Sequence, residues 1–230
     1  MLYTQEAVQA NIRNKEGQRV FYLEKGDTLT PGARDFLTRE RISILPAAEA
    51  RPQRFRLLAG GYLEEKPEHM THLNADTLVS KLHPRIAFRG ALDTLEAELI
   101  LAQLAVKKPY CDELGEILSL AREIMACDVL EKPLQFQTLC GLTEAEQRSR
   151  SHRPQDYYSQ PHFMPQAADG LGLARLNRVR CAAREAELRS IAAFSDREGN
   201  LTRQDIPRAM NRLSSMLYIL MIRLKAESAK

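Results

Sequence analysis

"LTRQDIPRAMNRLSSMLYILMIRL", residues 201–224, carries Ile206, Met210, Leu213, Leu217, Leu220, Met221 and Leu224 at three-to-four spacing. That period lines one face of a helix with apolar side chains, as the core of an antiparallel bundle requires. Thr202, with an acid three residues on at Asp205 and apolar Leu201 and Ile206 flanking them, reads as a capping box with a hydrophobic staple, so the helix is expected to start near Arg203.

The chain before it repeats the pattern. Leu173, Leu176, Val179, Ala183, Ala186 and Ile191 predict a helix over about residues 172–196. Leu114, Ile117, Leu118, Ala121, Ile124 and Met125 predict one over about 111–130, closed by Pro133. Leu92, Leu95 and Leu99 predict one over 91–107, stopped by Pro109. Residues 131–167 hold Gly141, the polar run "TEAEQRSRSHRPQ", Tyr157, Tyr158, Pro161 and Pro165, and read as a long loop of the kind that often carries function. Toward the start, short apolar runs such as residues 20–23 mix with Gly26, Pro31 and Gly32. There "TPGARDFLTRER" reads as a short helix leading into a strand-like "ISIL", giving a small α+β lobe. Residues 47–67 show no sustained period and read as a linker or a loop. The expected organisation is a mainly α antiparallel bundle of four or five helices over residues 67–230, with an N-terminal lobe and linker over 1–66.

Composition narrows the chemistry. In 230 residues, 33 Lys and Arg stand against 30 Asp and Glu, a formal charge of +3, so any anion site is local rather than a general polyanion surface. Cys111, Cys127, Cys140 and Cys181 form no CxxC pair, which fits a reducing, cytoplasmic setting. No apolar run is long enough to span a membrane. His69 and His72 at i, i+3 lack cysteine company and read as polar loop residues, so no metal centre is expected.

In "RLNRVRCAAREAEL", Arg180, Arg184 and Glu187 share one side of a helix with Asn177. A solvated, ion-paired face explains that spacing. So does a pair of guanidiniums one turn apart that cradles phosphate oxygens. Asp93 reads either as a first-turn carboxylate favoured by the helix dipole or as a group facing another chain, with Arg180 as its candidate cation. No GxxxxGK[ST] loop occurs, so any triphosphate must be held by side chains. A nucleic-acid surface built on Arg178, Arg180 and Arg184 is disfavoured by the nearby acids and scarce aromatics.

Lys81, Gly90 nine residues later, "LDTLEAEL" (92–99), "RVRCAAREAE" (178–187) and "MNRLSSMLYILM" (210–221) together resemble the corrinoid adenosyltransferases of the PduO type, whose motifs run K…G.xDEL, RxxCRRAER and LNRLSD. "EKPEHMTHL" before "KLHPRIAFRG", and "LTPGARDFL" in the lobe, resemble more narrowly the ethanolamine-utilisation branch, EutT. The resemblance implies a helical bundle that moves the 5′-deoxyadenosyl group of ATP to the cobalt of cob(I)alamin, in a homo-oligomer, trimer or dimer, with sites between subunits. It implies ATP contacts at Lys81, Arg184, Glu187 and Asn211, and an Asp93–Arg180 pair across the interface. It also implies a loop Phe at Phe163 that displaces the lower cobalt ligand. Mg²⁺ on the phosphates is implied, as is a product serving ethanolamine ammonia-lyase, possible association with a bacterial microcompartment, and no nucleic-acid or membrane partner. The resemblance also makes residues 81–90 a nucleotide-contacting loop in which Gly90 permits a tight turn. Glu185 and Leu188 stand where the motif has its second and last arginines, a Thr-Gly-Asp phosphate loop is not apparent, and no CCxxC cluster is present. The rival reading is a non-catalytic helical interaction protein of the same compartment.

Overall fold

The computed structural model describes residues 1–47 and 55–228. Part of the expected linker, 48–54, lies outside the described residues. The chain divides into two compact units, Met1–Arg54 with Leu63–Glu65, and Phe55–Tyr62 with Lys66–Lys230.

In the first unit, β1 (Leu2–Tyr3) pairs in parallel with β4 (Thr28–Leu29), while β3 (Gln18–Leu23) lies between β2 (Arg13–Lys15) and β5 (Ser43–Pro46). Helices α1 (Gln5–Ala10) and α2 (Pro31–Arg39) supply Val8, Ala33, Phe36 and Leu37 to a small core with Phe21 and Ile42. The start of α2 is set by Thr30, whose hydroxyl accepts from the Ala33 N–H at 3.3 Å, and by Pro31 in the first turn, where its missing N–H costs nothing. This is the short helix and following strand expected from "TPGARDFLTRER" and "ISIL".

Next come β6 (Phe55–Leu57), β7 (Tyr62–Leu63), β8 (Met70–His72) and β9 (Thr77–Ser80), so two short pieces of the stretch expected as linker or loop, 55–57 and 62–63, are strand. β6 runs parallel to β9, and β8 antiparallel to it with His72 opposite Leu78. The bundle follows: α3 (Pro84–Gln103), α4 (Tyr110–Val129), α7 (Gly170–Phe194) and α8 (Asp205–Ser228). Phe88, Leu92, Leu95 and Leu99 of α3, Leu114 and Ile117 of α4, Leu176 and Val179 of α7, and Leu213 and Leu217 of α8 are wholly buried together. Each large apolar side chain so buried contributes about 1.5–3 kcal/mol. Gly172 lets the first turn of α7 approach the α3–α4 connection, since a Cβ there would stand 3.2 Å from the Ala105 carbonyl oxygen.

Three sequence expectations are corrected. First, α3 begins at Pro84, seven residues before the expected start. Pro84 occupies the first turn, where proline is tolerated, and His83 Nδ1 accepts from the Arg85 N–H at 3.2 Å. Gly90 therefore sits inside a helix and makes no turn. The basic groups of this stretch serve the bundle: Arg85 Nε and Arg89 Nε donate to the two oxygens of fully buried Asp128 at 2.8 and 2.6 Å. Second, Thr202 and Asp205 do not form a capping box. The Thr202 hydroxyl donates to the Phe194 carbonyl at 2.8 Å, and Asp205 is held by Arg203 through two hydrogen bonds, of 2.8 and 2.7 Å, and by the Leu134 N–H at 2.8 Å. Third, the stretch 131–167 contains the β10 (Thr138–Leu139) and β11 (Leu142–Thr143) hairpin and two helices, α5 (Glu144–His152) and α6 (Pro154–Tyr158). The capping box is here: the Thr143 hydroxyl accepts from the Glu146 N–H, and the Glu146 carboxylate accepts from the Thr143 N–H. Gln147, wholly buried, anchors α5 by donating to the Leu142 carbonyl at 3.0 Å.

Candidate active site

Helices α7 and α8 run antiparallel side by side, and residues spaced one turn apart on each meet across the seam. Asn211 Nδ2 donates to Glu187 Oε1 at 2.8 Å. Two turns back along α7, Arg180 lies over the Tyr218 ring at 5.8 Å and donates to Asn177 Oδ1 at 3.2 Å. Arg180 Nε is buried with no hydrogen-bond partner among the described residues. A polar cleft of about 330 Å³ runs along this seam, lined on its two long sides by Arg180 and Arg184 and by Asn211, Arg212, Ser214, Ser215 and Tyr218, and closed by Ser151, His152 and His162.

The loop carrying Phe163 is tied to this cleft. His162 Nε2 lies 3.3 Å from the His152 carbonyl oxygen, which can only accept, so Nε2 carries the proton. In the neutral ring Nδ1 is then the acceptor of a hydrogen bond from the Tyr218 hydroxyl at 2.8 Å. The Phe163 amide also hydrogen-bonds the Tyr218 oxygen, and burial raises the Tyr218 pKa above that of a free phenol. Phe163 itself is half-buried against the bundle core with the Lys225 ammonium 5.9 Å from its ring centre, whereas Met164 beside it is exposed.

Of the residues singled out in the sequence, Arg180, Arg184 and Asn211 line the cleft, and Glu187 fixes the Asn211 amide from below. Arg184 is exposed, with its guanidinium unpaired among the described residues. Lys81 and Asp93 are exposed on the turn before α3 and on α3 itself, and neither lines the cleft of the single chain. His162, Tyr218, Arg212 and the two serines were not singled out in the sequence. Arg212 directly follows Asn211 and Ser214 comes three residues after it, the one available signal. His162 gave none, because its role depends on a contact 56 residues away.

Electrostatics favour an anion here. Burial pulls the Arg212 pKa down, and neighbouring Arg148 and Arg208 push the same way, against Glu144 and Glu187. Several guanidinium donors along one cleft, with a carboxylate-oriented amide among them, suit a phosphorylated ligand that also offers hydroxyl or ring groups. Two carboxylates adjoin residues of this wall: Glu187, held by Asn211, and Glu144, held by Arg208.

A family model described as cobalamin adenosyltransferase matches residues 61–224. The chain is 33% identical, over 95% of its own length and 90% of the relative's, to corrinoid adenosyltransferase EutT of Salmonella typhimurium. It is 31% identical over the same shares to corrinoid adenosyltransferase EutT of Escherichia coli K12. Among solved structures, it superposes with a TM-score of 0.50 on a variant of a PduO-type ATP:corrinoid adenosyltransferase from Lactobacillus reuteri complexed with cobalamin and ATP. The match is at 17% identity and covers 76% of this chain and 91% of that one. At that identity the likeness speaks for the fold. The family match and the two relatives speak for descent: the chain belongs to the cobalamin adenosyltransferase family.

Proposed function

We propose that the chain transfers the 5′-deoxyadenosyl group of ATP to the cobalt of a reduced corrinoid, cob(I)alamin. The observation that carries this reading is convergence: Arg180, Arg184, Glu187 and Asn211, from two motifs about thirty residues apart in sequence, meet along one seam. The reaction asks little covalent chemistry of the protein. A cobalt-centred electron pair attacks C5′, the cobalt–carbon bond forms as the C5′–oxygen bond breaks, and the electrons of that bond leave on triphosphate. No general base is needed. The chain must hold two large substrates in line and oppose the charge growing on the leaving group. Arg184, with Lys81, is suited to the charge, and the Glu187–Asn211 pair to fixing the nucleotide's position along the seam. Mg²⁺ would enter on the phosphate oxygens. A hard cation that keeps most of its waters needs only one or two carboxylates, which Glu187 and Glu144 are able to supply.

Phe163 supplies an apolar surface beside the cleft for the lower face of the corrin. Asp93 is exposed and unpaired among the described residues, and Arg180 keeps a buried, unused Nε. The reading therefore pairs them between copies in a homo-oligomer, dimer or trimer, whose contact also covers the exposed Ile100 and Leu101 of α3 and Leu104 just after it. The product is the cofactor form used by ethanolamine ammonia-lyase, and the reading puts the enzyme in the cytoplasm, with or inside a microcompartment. Among the described residues no helix is long and apolar enough to cross a membrane. Calorimetric titration with MgATP tests the nucleotide site. Saturable binding that Arg184→Ala weakens by about 1.5–3 kcal/mol is expected, and no binding, or binding unchanged in the variant, would refute it.

A further inference from the structure

Beside the cleft lies a second one of about 400 Å³, formed where α5 rests on α8 and lined chiefly by Glu144, Arg148, Arg208, Asn211 and Arg212. Asn211 and Arg212 line both, so the two make one groove. Arg208 and Arg212 are one helical turn apart on α8, and Arg148 faces them from α5. Only one of these three cations is neutralised: Glu144 lies 2.6 Å from Arg208. Arg212 donates only to the neutral Asn211 side-chain oxygen, and Arg148 has no side-chain partner among the described residues. Arg148 and half-buried Arg212 thus have no carboxylate in direct contact among the described residues. Glu144 and Glu187 act on Arg212 only at a distance, against Arg148 and Arg208, so an anion between the two guanidiniums would relieve their mutual repulsion.

From Tyr218 to Arg208 is ten residues of α8, a rise of about 15 Å. A nucleotide laid along it has its nucleoside among hydroxyl and ring groups at one end and its charge among arginines at the other. The chain also has no glycine-rich phosphate loop, and it carries Glu185 and Leu188 where the family motif has two further arginines. We propose that Arg148 and Arg212, flanked by Arg208, form the seat for the terminal phosphates of the nucleotide and for the departing inorganic triphosphate. The seat is built from α5 and α8 rather than from a phosphate loop. This rests on the adenosyltransferase reading above, and it predicts that Arg148, outside the family motifs, discriminates triphosphates from shorter nucleotides.

Arg148 is exposed, so its replacement spares the core. The test compares the wild type, Arg148→Ala, Arg148→Lys and, as a control, Arg189→Ala, in ATP-dependent adenosylation of reduced cobalamin with sodium tripolyphosphate as inhibitor. The seat predicts that Arg148→Ala raises the KM for ATP and the inhibition constant for tripolyphosphate by roughly tenfold or more, from one lost charge-assisted hydrogen bond. The KM for cobalamin should stay unchanged, Arg148→Lys should recover part of the loss, and Arg189→Ala should behave as wild type. Both ATP and tripolyphosphate constants within twofold of wild type in Arg148→Ala would overturn the seat. A wild type that turns over no cobalamin would overturn the parent reading instead. Direct calorimetric titration of tripolyphosphate then decides the seat alone: binding weakened in Arg148→Ala supports it, and equal or absent binding refutes it.

Discussion

Replacing Asp128 with alanine should be among the most damaging single changes in the bundle. Its carboxylate is fully buried at the C-terminal end of α4 and accepts from Arg85 Nε at 2.8 Å and Arg89 Nε at 2.6 Å, both from the first turns of α3. The two guanidiniums are themselves only 15% and 14% exposed, so water replaces little of what is lost. Arg85 keeps the Asp128 carbonyl at 2.7 Å and the Glu131 carboxylate at 3.1 Å, and Arg89 keeps the Leu73 and His72 carbonyls at 2.7 and 3.4 Å, which limits the damage. Two charge-assisted bonds at about 1.5–3 kcal/mol each, less what those remaining partners retain, give a loss of about 3–4 kcal/mol. That lies within the range for breaking a buried ion pair. With a urea m value of about 3 kcal/mol/M the unfolding midpoint should fall by roughly 1 M at unchanged m. Asp128→Asn, which keeps one acceptor oxygen, should lose about half as much. A midpoint within about 0.2 M of wild type for Asp128→Ala would refute the assignment of Arg85 and Arg89 to the bundle rather than to a ligand.

His162 positions the Phe163 loop as well as closing the cleft, so His162→Ala should lower kcat about tenfold while raising the KM for ATP by clearly less. An equal change in both parameters would contradict that role. Arg203 holds the Asp205 carboxyl down to about 2, from an ordinary 3.8. The folded-state pKa is depressed, so this stabilisation is complete above about pH 4 and is lost as pH falls from about 4 to about 2. After solvent screening it is worth about 1 kcal/mol, and Asp205→Asn should remove that part of the acid sensitivity in pH-dependent unfolding. Asp93→Arg and Arg180→Asp should each abolish most activity, and the two together should recover part of it if the groups meet between copies. Sedimentation and turnover on the double variant decide this, and no recovery would argue against the pairing.

The bundle was legible in the sequence because α4, α7 and α8 carry uninterrupted apolar stripes, and a core that large overrides local detail. Local punctuation misled where it had two meanings. Pro84 and Gly90 look like breakers, but a proline in the first helical turn and an exposed mid-helix glycine are both compatible with helix. Thr202 and Asp205 have the spacing of a cap, yet stronger partners, the Phe194 carbonyl and Arg203, claim both side chains. Helix α5 escaped because "EAEQRSRSH" has almost no apolar face, although Thr143 and Glu146 announced its start. The cleft was half-legible. Spacing on one helix aligned Arg180, Arg184 and Glu187, but what Asn211, His162, Arg148 and Arg212 do there is set by packing between helices, which no local pattern encodes.

The most direct test of the account is to mix the purified protein with MgATP and chemically reduced cobalamin and follow the corrinoid spectrum before and after illumination. The account predicts a product that forms only with ATP, releases triphosphate in equal amount and reverts on exposure to light as its cobalt–carbon bond breaks. Cobalamin that stays unalkylated with ATP bound, or triphosphate released without a light-sensitive corrinoid, would contradict it.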